Sequence, residues 1–251
     1  MEIAQTILVP AYQYPPDPDG TSAYWNQYAS GYPTCNMLIA NVMSGPGGSV
    51  NSDYLTAIAN AQMVGLKVIG YVDTNHANMN DHPPSVVEAD IDRWYTLYED
   101  IDGIMLDQVS ATTENYTYYQ TLYNYIKAKS TTRNFVALNP GATPNETYMK
   151  ISDTISIMEA TYATYQSSIN AGPSSPYKNW MKLHAPSKLW LLVHTIPDIP
   201  SMQAIVTQAK AANIGRLYLT DQIYPDPGAY DAPPSTSFWN AELTAGRYPL
   251  I

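Results

Sequence analysis

Eight short apolar runs recur along the chain at a regular beat, over residues 6–11, 36–40, 67–72, 103–106, 134–138, 154–158, 189–193 and 216–219. Each is strand length and almost wholly apolar, the pattern of a strand covered on both faces. Between them lie helical patterns, clearest over 52–64, 85–97, 114–129 and 201–213. The first of these carries Leu55, Ile58, Ala59 and Met63, close to the i, i+3, i+4 stripe of a half-buried helix. The last opens at Ser201 after Pro200 and is followed by Gly215. Weaker helices are needed after the first, fifth, sixth and last strands, and the segments around Tyr24, Glu146, Trp180 and Phe238 supply them.

Strand, helix and strand spaced roughly thirty residues apart imply parallel pairing through crossover helices. Eight such units in 251 residues match a single-domain α/β fold, the (β/α)8 TIM barrel, over residues 1–251. An open doubly wound sheet would want a glycine-rich phosphate turn after its first strand. Here that strand runs into Tyr12-Gln13-Tyr14-Pro15-Pro16, which cannot cradle a pyrophosphate. The glycine-rich stretch from Ser44 to Gly48 follows the second strand without a phosphate-binding lysine and reads as a rim turn. The proline-rich residues 224–234 read as a long last loop over the rim.

Polar or aromatic residues follow every apolar run: Tyr12 and Tyr14, Asn41, Asp73, Asp107, Asn139, Glu159, His194 and Asp221. Strand ends are polar wherever loops begin, but here acids cluster in a chain otherwise poor in charge. In a barrel, such positions line one pocket at the C-terminal rim. Asp107 and Glu159 are the candidate catalytic pair, since two acids facing one groove are the minimum for glycosidic cleavage. Alternation adds a question at the fourth tip. Met105 and Asp107 point one way, Leu106 and Gln108 the other. Either Asp107 or Gln108 faces the pocket from regular geometry, or the strand end deforms and presents both.

Composition narrows the partners. With 12 basic and 22 acidic residues the net charge is −10, which argues against nucleic acid or an anionic membrane surface. No stretch approaches the ~18 continuous apolar residues of a membrane span. Charged residues are only 14%, and much of the polarity comes with 22 tyrosines, whose flat faces and hydroxyl tips suit sugar rings. Tyr12, Tyr71 and Trp25 are candidates to stack on a sugar, with Asn41, Asp73, Gln108, Asn139, His194 and Asp221 as hydrogen-bonding partners. Four scattered histidines show no metal-ligand spacing, so neither metal nor cofactor is expected. Cys35, the one cysteine, sits before an apolar run and reads as a packed thiol. Asn115-Tyr-Thr117 and Asn145-Glu-Thr147 fit the glycosylation sequon, which matters only in a eukaryotic secreted setting. The start of the chain lacks a signal-peptide pattern. The expected location is extracellular, cell-surface or virion-associated, reached as a trimmed mature domain, by cell lysis or within a particle.

Several segments together resemble the spherulation-specific (spherulin-4-like) family, related to the endo-α-1,4-polygalactosaminidases. Val9-Pro10-Ala11-Tyr12-Gln13-Tyr14-Pro15 is similar to its opening strand. Asn41 with Ser44-Gly45-Pro46-Gly47 resembles its Asn-Pro-x-x-Gly-Pro-Gly segment, with Val42 where proline is usual. Further matches are Gly70-Tyr71-Val72-Asp73-Thr74, Asp102 to Asp107, Leu138-Asn139-Pro140-Gly141, the strand ending at Glu159, and Tyr218-Leu219-Thr220-Asp221. The resemblance implies a barrel glycosidase acting on galactosamine-containing polymers, with Asp107 and Glu159 as its carboxylates. Glu159 would be the general acid and Asp107 the nucleophile or charge stabiliser. The family's Asp-Glu at the fourth tip is Asp107-Gln108 here. The alternative is therefore a glycan-binding or purely structural barrel of a phage virion or cell surface, disarmed by Gln108.

Overall fold

The computed structural model describes residues 4–16, 22–223 and 228–246. Eight strands pair in parallel in chain order and close into a barrel: β1 (Thr6–Ala11), β2 (Cys35–Ala40), β3 (Lys67–Asp73), β4 (Gly103–Asp107), β5 (Phe135–Asn139), β6 (Thr154–Thr161), β7 (Leu189–His194) and β8 (Arg216–Leu219). Around it lie α1 (Ala23–Ser30), α2 (Ser52–Met63), α3 (Pro84–Leu97), α4 (Tyr116–Lys129), α5 (Tyr162–Ile169), α6 (Ile199–Ala211) and α7 (Thr236–Gly246). This is the expected single-domain (β/α)8 barrel. Asp73, Asp107, Asn139 and His194 are the last residues of their strands rather than the first of their loops, so strand alternation fixes where they point.

Three helical expectations are corrected. In α2 the buried face is Tyr54, Ala57, Ile58 and Ala61, while Leu55 and Met63 are exposed. Asn51 caps the helix, its Oδ1 accepting from Asp53 N at 3.0 Å and Tyr54 N at 3.2 Å, and this sets the phase one residue away. A tyrosine and two alanines then form the stripe, because small residues let the helix approach the sheet. After β6 the helix is α5, not the segment around Trp180, which forms a single 3-10 turn (Asn179–Leu183). Only Tyr165 of α5 is buried, so no stripe marks it in the sequence. Between β5 and β6 there is no α-helix, only the 3-10 turn Glu146–Lys150.

Close helix–strand packing also depends on Gly70 in β3. A Cβ there would stand 2.4 Å from the Trp94 indole, whose Nε1 donates to Tyr71 O at 2.7 Å.

Register decides the rest. Asp73 pairs with Asp107 and Asp107 with Asn139, so three strand-end side chains stand level. Carrying the alternation on through Leu138↔Ile155 would turn Glu159 outward, toward the helices. A bulge prevents this. Ser156 pairs with Trp190 but Met158 with Leu191, leaving Ile157 unmatched against β7. The extra residue reverses the parity of everything after it, and Glu159 faces inward.

The β1/β8 seam is short, with only Thr6↔Arg216 and Ile7↔Leu217 in register. Thr6 N bonds toward β8 and Ile7 N toward β2, so by alternation the nitrogen of residue 10 faces β8. Residue 10 is proline and has no proton to give. Above that point the Leu219 N–H donates instead to Glu242 Oε1 of α7, at 3.1 Å.

Candidate active site

Asn139, at the end of β5, stands between the two candidate acids. Its Nδ2 donates to Asp107 Oδ1 at 2.8 Å and to Glu159 Oε2 at 2.7 Å. The facing oxygens are therefore no farther apart than the sum of those two bonds, 5.5 Å. The amide's orientation is set from behind, where Asn139 Oδ1 accepts Gly141 N at 3.1 Å. Gly141 adopts φ +63°, and its carbonyl accepts Glu159 N at 3.0 Å. One glycine in a left-handed conformation thus orients Asn139 and anchors β6 beside it.

Each acid has a second donor on its outer oxygen. Tyr71 Oη donates to Asp107 Oδ2 at 2.8 Å, and Tyr230 Oη donates to Glu159 Oε1. Tyr12 packs edge-on against both phenols, 5.6 Å from the Tyr71 ring and 5.7 Å from that of Tyr230. The result is a continuous array, Tyr71–Asp107–Asn139–Glu159–Tyr230, bordered by a third tyrosine. His194 is buried at the β7 tip, 6.5 Å from the Tyr230 ring centroid.

Burial and the Glu159 charge raise the Asp107 carboxyl to about 6, against the opposing bonds from Tyr71 and Asn139. Burial also pushes the Tyr12 and Tyr230 phenols well above their usual range, with both acids adding to it for Tyr12 and Glu159 for Tyr230. These phenols are donors, not anions. Burial lowers the His194 imidazole, with Glu159 acting in the opposite sense. Among the described residues no group of three or more His, Cys, Asp or Glu side chains could hold a metal ion. No described helix is long and apolar enough to cross a membrane.

The structure thus gathers Tyr12, Tyr71, Asp107, Asn139, Glu159 and His194 at one mouth. The other residues read from the sequence lie around its rim. Asp73 stands level with Asp107, its Oδ1 accepting Asn75 N at 2.8 Å. Asn41 closes the rim turn after β2, accepting Gly45 N at 2.9 Å. Asp221 accepts Ser235 N at 3.0 Å and ties down the last loop. Gln108 leaves strand geometry at φ +52° and is exposed, its carbonyl accepting His76 N at 2.8 Å. Of the alternatives at the fourth tip, Asp107 faces the pocket. Trp25 is not a sugar platform: it is buried against Tyr54 and donates to Gln13 O at 3.0 Å. Cys35 is fully buried, as expected.

Tyr230 is the residue that sequence reasoning missed. It lies in the expected long last loop, of which residues 224–227 fall outside the described residues. That loop is held over the mouth by Gln13 Nε2, which donates to Tyr230 O at 2.6 Å. A proline-rich loop over the rim was a signal that something caps the site. Nothing in it singled out one tyrosine.

The model of the spherulation-specific family 4 matches residues 6–245. The chain belongs to this family. Spherulin-4 of Physarum polycephalum is 32% identical over 222 residues, covering 86% of this chain and 63% of that protein. The chain thus spans less than two thirds of that family member's length. Among solved structures, Aspergillus clavatus Sph3 in complex with GalNAc has a TM-score of 0.78 at 23% identity, covering 97% of this chain and 98% of that one. PbGH5A, a glycoside hydrolase family 5 enzyme from Prevotella bryantii B14, has a TM-score of 0.55 at 9% identity, covering 98% and 99%. These likenesses show the barrel fold that the chain shares with them.

Proposed function

We propose that this barrel hydrolyses an α-1,4-linked polysaccharide containing galactosamine or N-acetylgalactosamine, using Asp107 and Glu159. One observation carries the reading: the two half-buried acids share the Asn139 amide, with facing oxygens within 5.5 Å. Carboxyl groups ~5–5.5 Å apart suit a retaining, two-step displacement, whereas inversion leaves ~6.5–9.5 Å for a water. Support for the sugar comes from the family and from the GalNAc bound to Sph3.

In this reading Asp107 attacks the anomeric carbon and Glu159 protonates the leaving oxygen, then activates the water. The side chains differ in freedom. Asp107 is short and pinned from both sides by Tyr71 and Asn139, as a nucleophile should be. Glu159 has one more rotatable bond and can leave Tyr230 to follow a proton between oxygens. Burial raises the Asp107 carboxyl. Asp107 must then lose its resting proton before it can attack, which happens above about pH 6.

The test is incubation of the purified protein with galactosamine oligomers of mixed acetylation, following reducing-end release and the anomer first formed. Retained product, abolished by Asp107→Asn and Glu159→Gln, is the expected result. Inverted product, or release indifferent to both substitutions, would overturn it.

Gln108 supports a second reading, a glycan-binding module that grips polymer without cutting it. Binding calorimetry on intact polymer with no product over long incubation would establish that. An extracellular or surface location is where either activity would meet its polysaccharide.

A further inference from the structure

The strand-tip mouth leaves unexplained a second concavity in the flank of the barrel, a groove of about 1150 Å³. It exists because the fifth connection is a 3-10 turn, so no α-helix covers the wall between β5 and β6. Its volume exceeds the ~300–1,000 Å³ of an ordinary small-molecule site, which favours an extended ligand. We propose that this groove binds neutral sugar units of the same polysaccharide chain that enters the catalytic mouth, a claim that rests on the glycan reading above.

Three observations converge. The first is the aromatic wall. Trp180 lines the groove half-buried, set at 78° to the His184 ring with centroids 5.8 Å apart. A fixed indole with exposed surface is a platform for a sugar face. Beside it stand exposed hydrogen-bonding side chains from Thr112, Thr113 and Asn145.

The second is charge. His184 Nε2 sits 3.1 Å from Glu146 Oε1, so the one acid in the groove is already engaged. Against that one acid stand Lys150 and Lys178, whose Nζ donates to the neutral Pro173 O at 2.7 Å, so the groove lining is basic on balance. The mouth, with Asp73, Asp107 and Glu159, is acidic. A protonated amino sugar is drawn to the mouth and repelled from the groove, which leaves neutral or N-acetylated units for the groove.

The third is continuity. The loops after β4 and β5 run side by side from the acids to the groove. Val109 N donates to Asn139 O at 3.0 Å, and Asn145 N to Ala111 O at 3.1 Å. Their inner ends are Asp107 and Asn139, their outer ends the groove wall. The four residue steps from Asn139 to Thr143 span at most ~14 Å when extended. A polymer leaving the mouth along this ribbon reaches Trp180 within a few units.

The test measures binding in a Glu159→Gln background, so that no substrate is consumed. Affinity for a long, partly N-acetylated galactosamine polymer is compared with affinity for a trimer. Adding Trp180→Ala should weaken long-chain binding about tenfold and trimer binding less than twofold. Thr113→Arg, which crowds the groove from an exposed position and leaves the indole in place, should act in the same direction. Equal loss on both ligands, no loss on either, or preference of the groove for fully deacetylated polymer would each overturn the proposal. If the protein without the groove substitutions binds neither ligand, the glycan reading falls as well. If it binds both and the two groove substitutions change nothing, only the groove proposal falls.

Discussion

Tyr71 sits diagonally below Asp107, one inward-facing position down on the neighbouring strand, and its hydroxyl closes on Asp107 Oδ2 at 2.8 Å. That bond favours the ionised acid, against burial and the Glu159 charge that favour the neutral one. Removing it should raise the Asp107 pKa further above 6. In a pH–rate profile of Tyr71→Phe, the acid limb should shift upward by about one unit relative to the native protein, with little change at high pH. A limb that stays put would separate Asp107 from the rate-controlling ionisation.

The same shift has a consequence for folding. Asp107 holds its proton more tightly folded than unfolded, so its favourable contribution is complete below about pH 4. It is lost as pH rises through about 6. Asp107→Asn keeps the hydrogen bonds, because Tyr71 can accept from the new amide, and it removes the buried charge. Urea unfolding at pH 7.5 should find the variant more stable by about 2 kcal/mol, with the gain vanishing near pH 4. A destabilised variant at pH 7.5 would contradict the raised value.

Gln108 is exposed and turned out of the strand, while the two acids that face each other are intact. Gln108→Glu should therefore change turnover on galactosamine oligomers by less than about threefold, since rim charges act weakly through solvent. Activity found only in the Glu variant would instead favour the disarmed, glycan-binding reading.

Glu242 is buried beside the β1/β8 seam with Oε1 on Leu219 N and Oε2 without a hydrogen-bond partner among the described residues, and burial raises its carboxyl far above the usual range. The folded chain holds this proton more tightly than the unfolded one, so the contribution is complete below about pH 4 and is lost progressively as pH rises from there toward the folded value. Glu242→Gln keeps the acceptor and removes the ionisation. Its unfolding free energy should stay level between pH 6 and 9 while that of the native protein falls. Glu242→Ala, which orphans the Leu219 N–H, should lose about 1–3 kcal/mol throughout.

The strands were legible because each is a dense apolar run, and the acids because charge is scarce enough for them to stand out. Helix α2 was found but rotated, since its stripe is built from Tyr54 and alanines rather than from its larger aliphatic residues. Trp25 looked like a sugar platform because composition cannot tell a buried indole from an exposed one. Asn139 was read as a substrate contact, yet its two bonds to Asp107 and Glu159 depend on Gly141 and on register across three strands. Tyr230 reaches Glu159 from 71 residues away, a distance that only the closed chain can measure.

The unmatched Ile157 makes the inward aim of Glu159 a matter of counting. Relatives that keep the glutamate but drop one residue upstream in that strand would carry the right letter in the wrong frame, its carboxylate buried among helices. A single-codon deletion could silence such a barrel while leaving every acid of the mouth in its sequence.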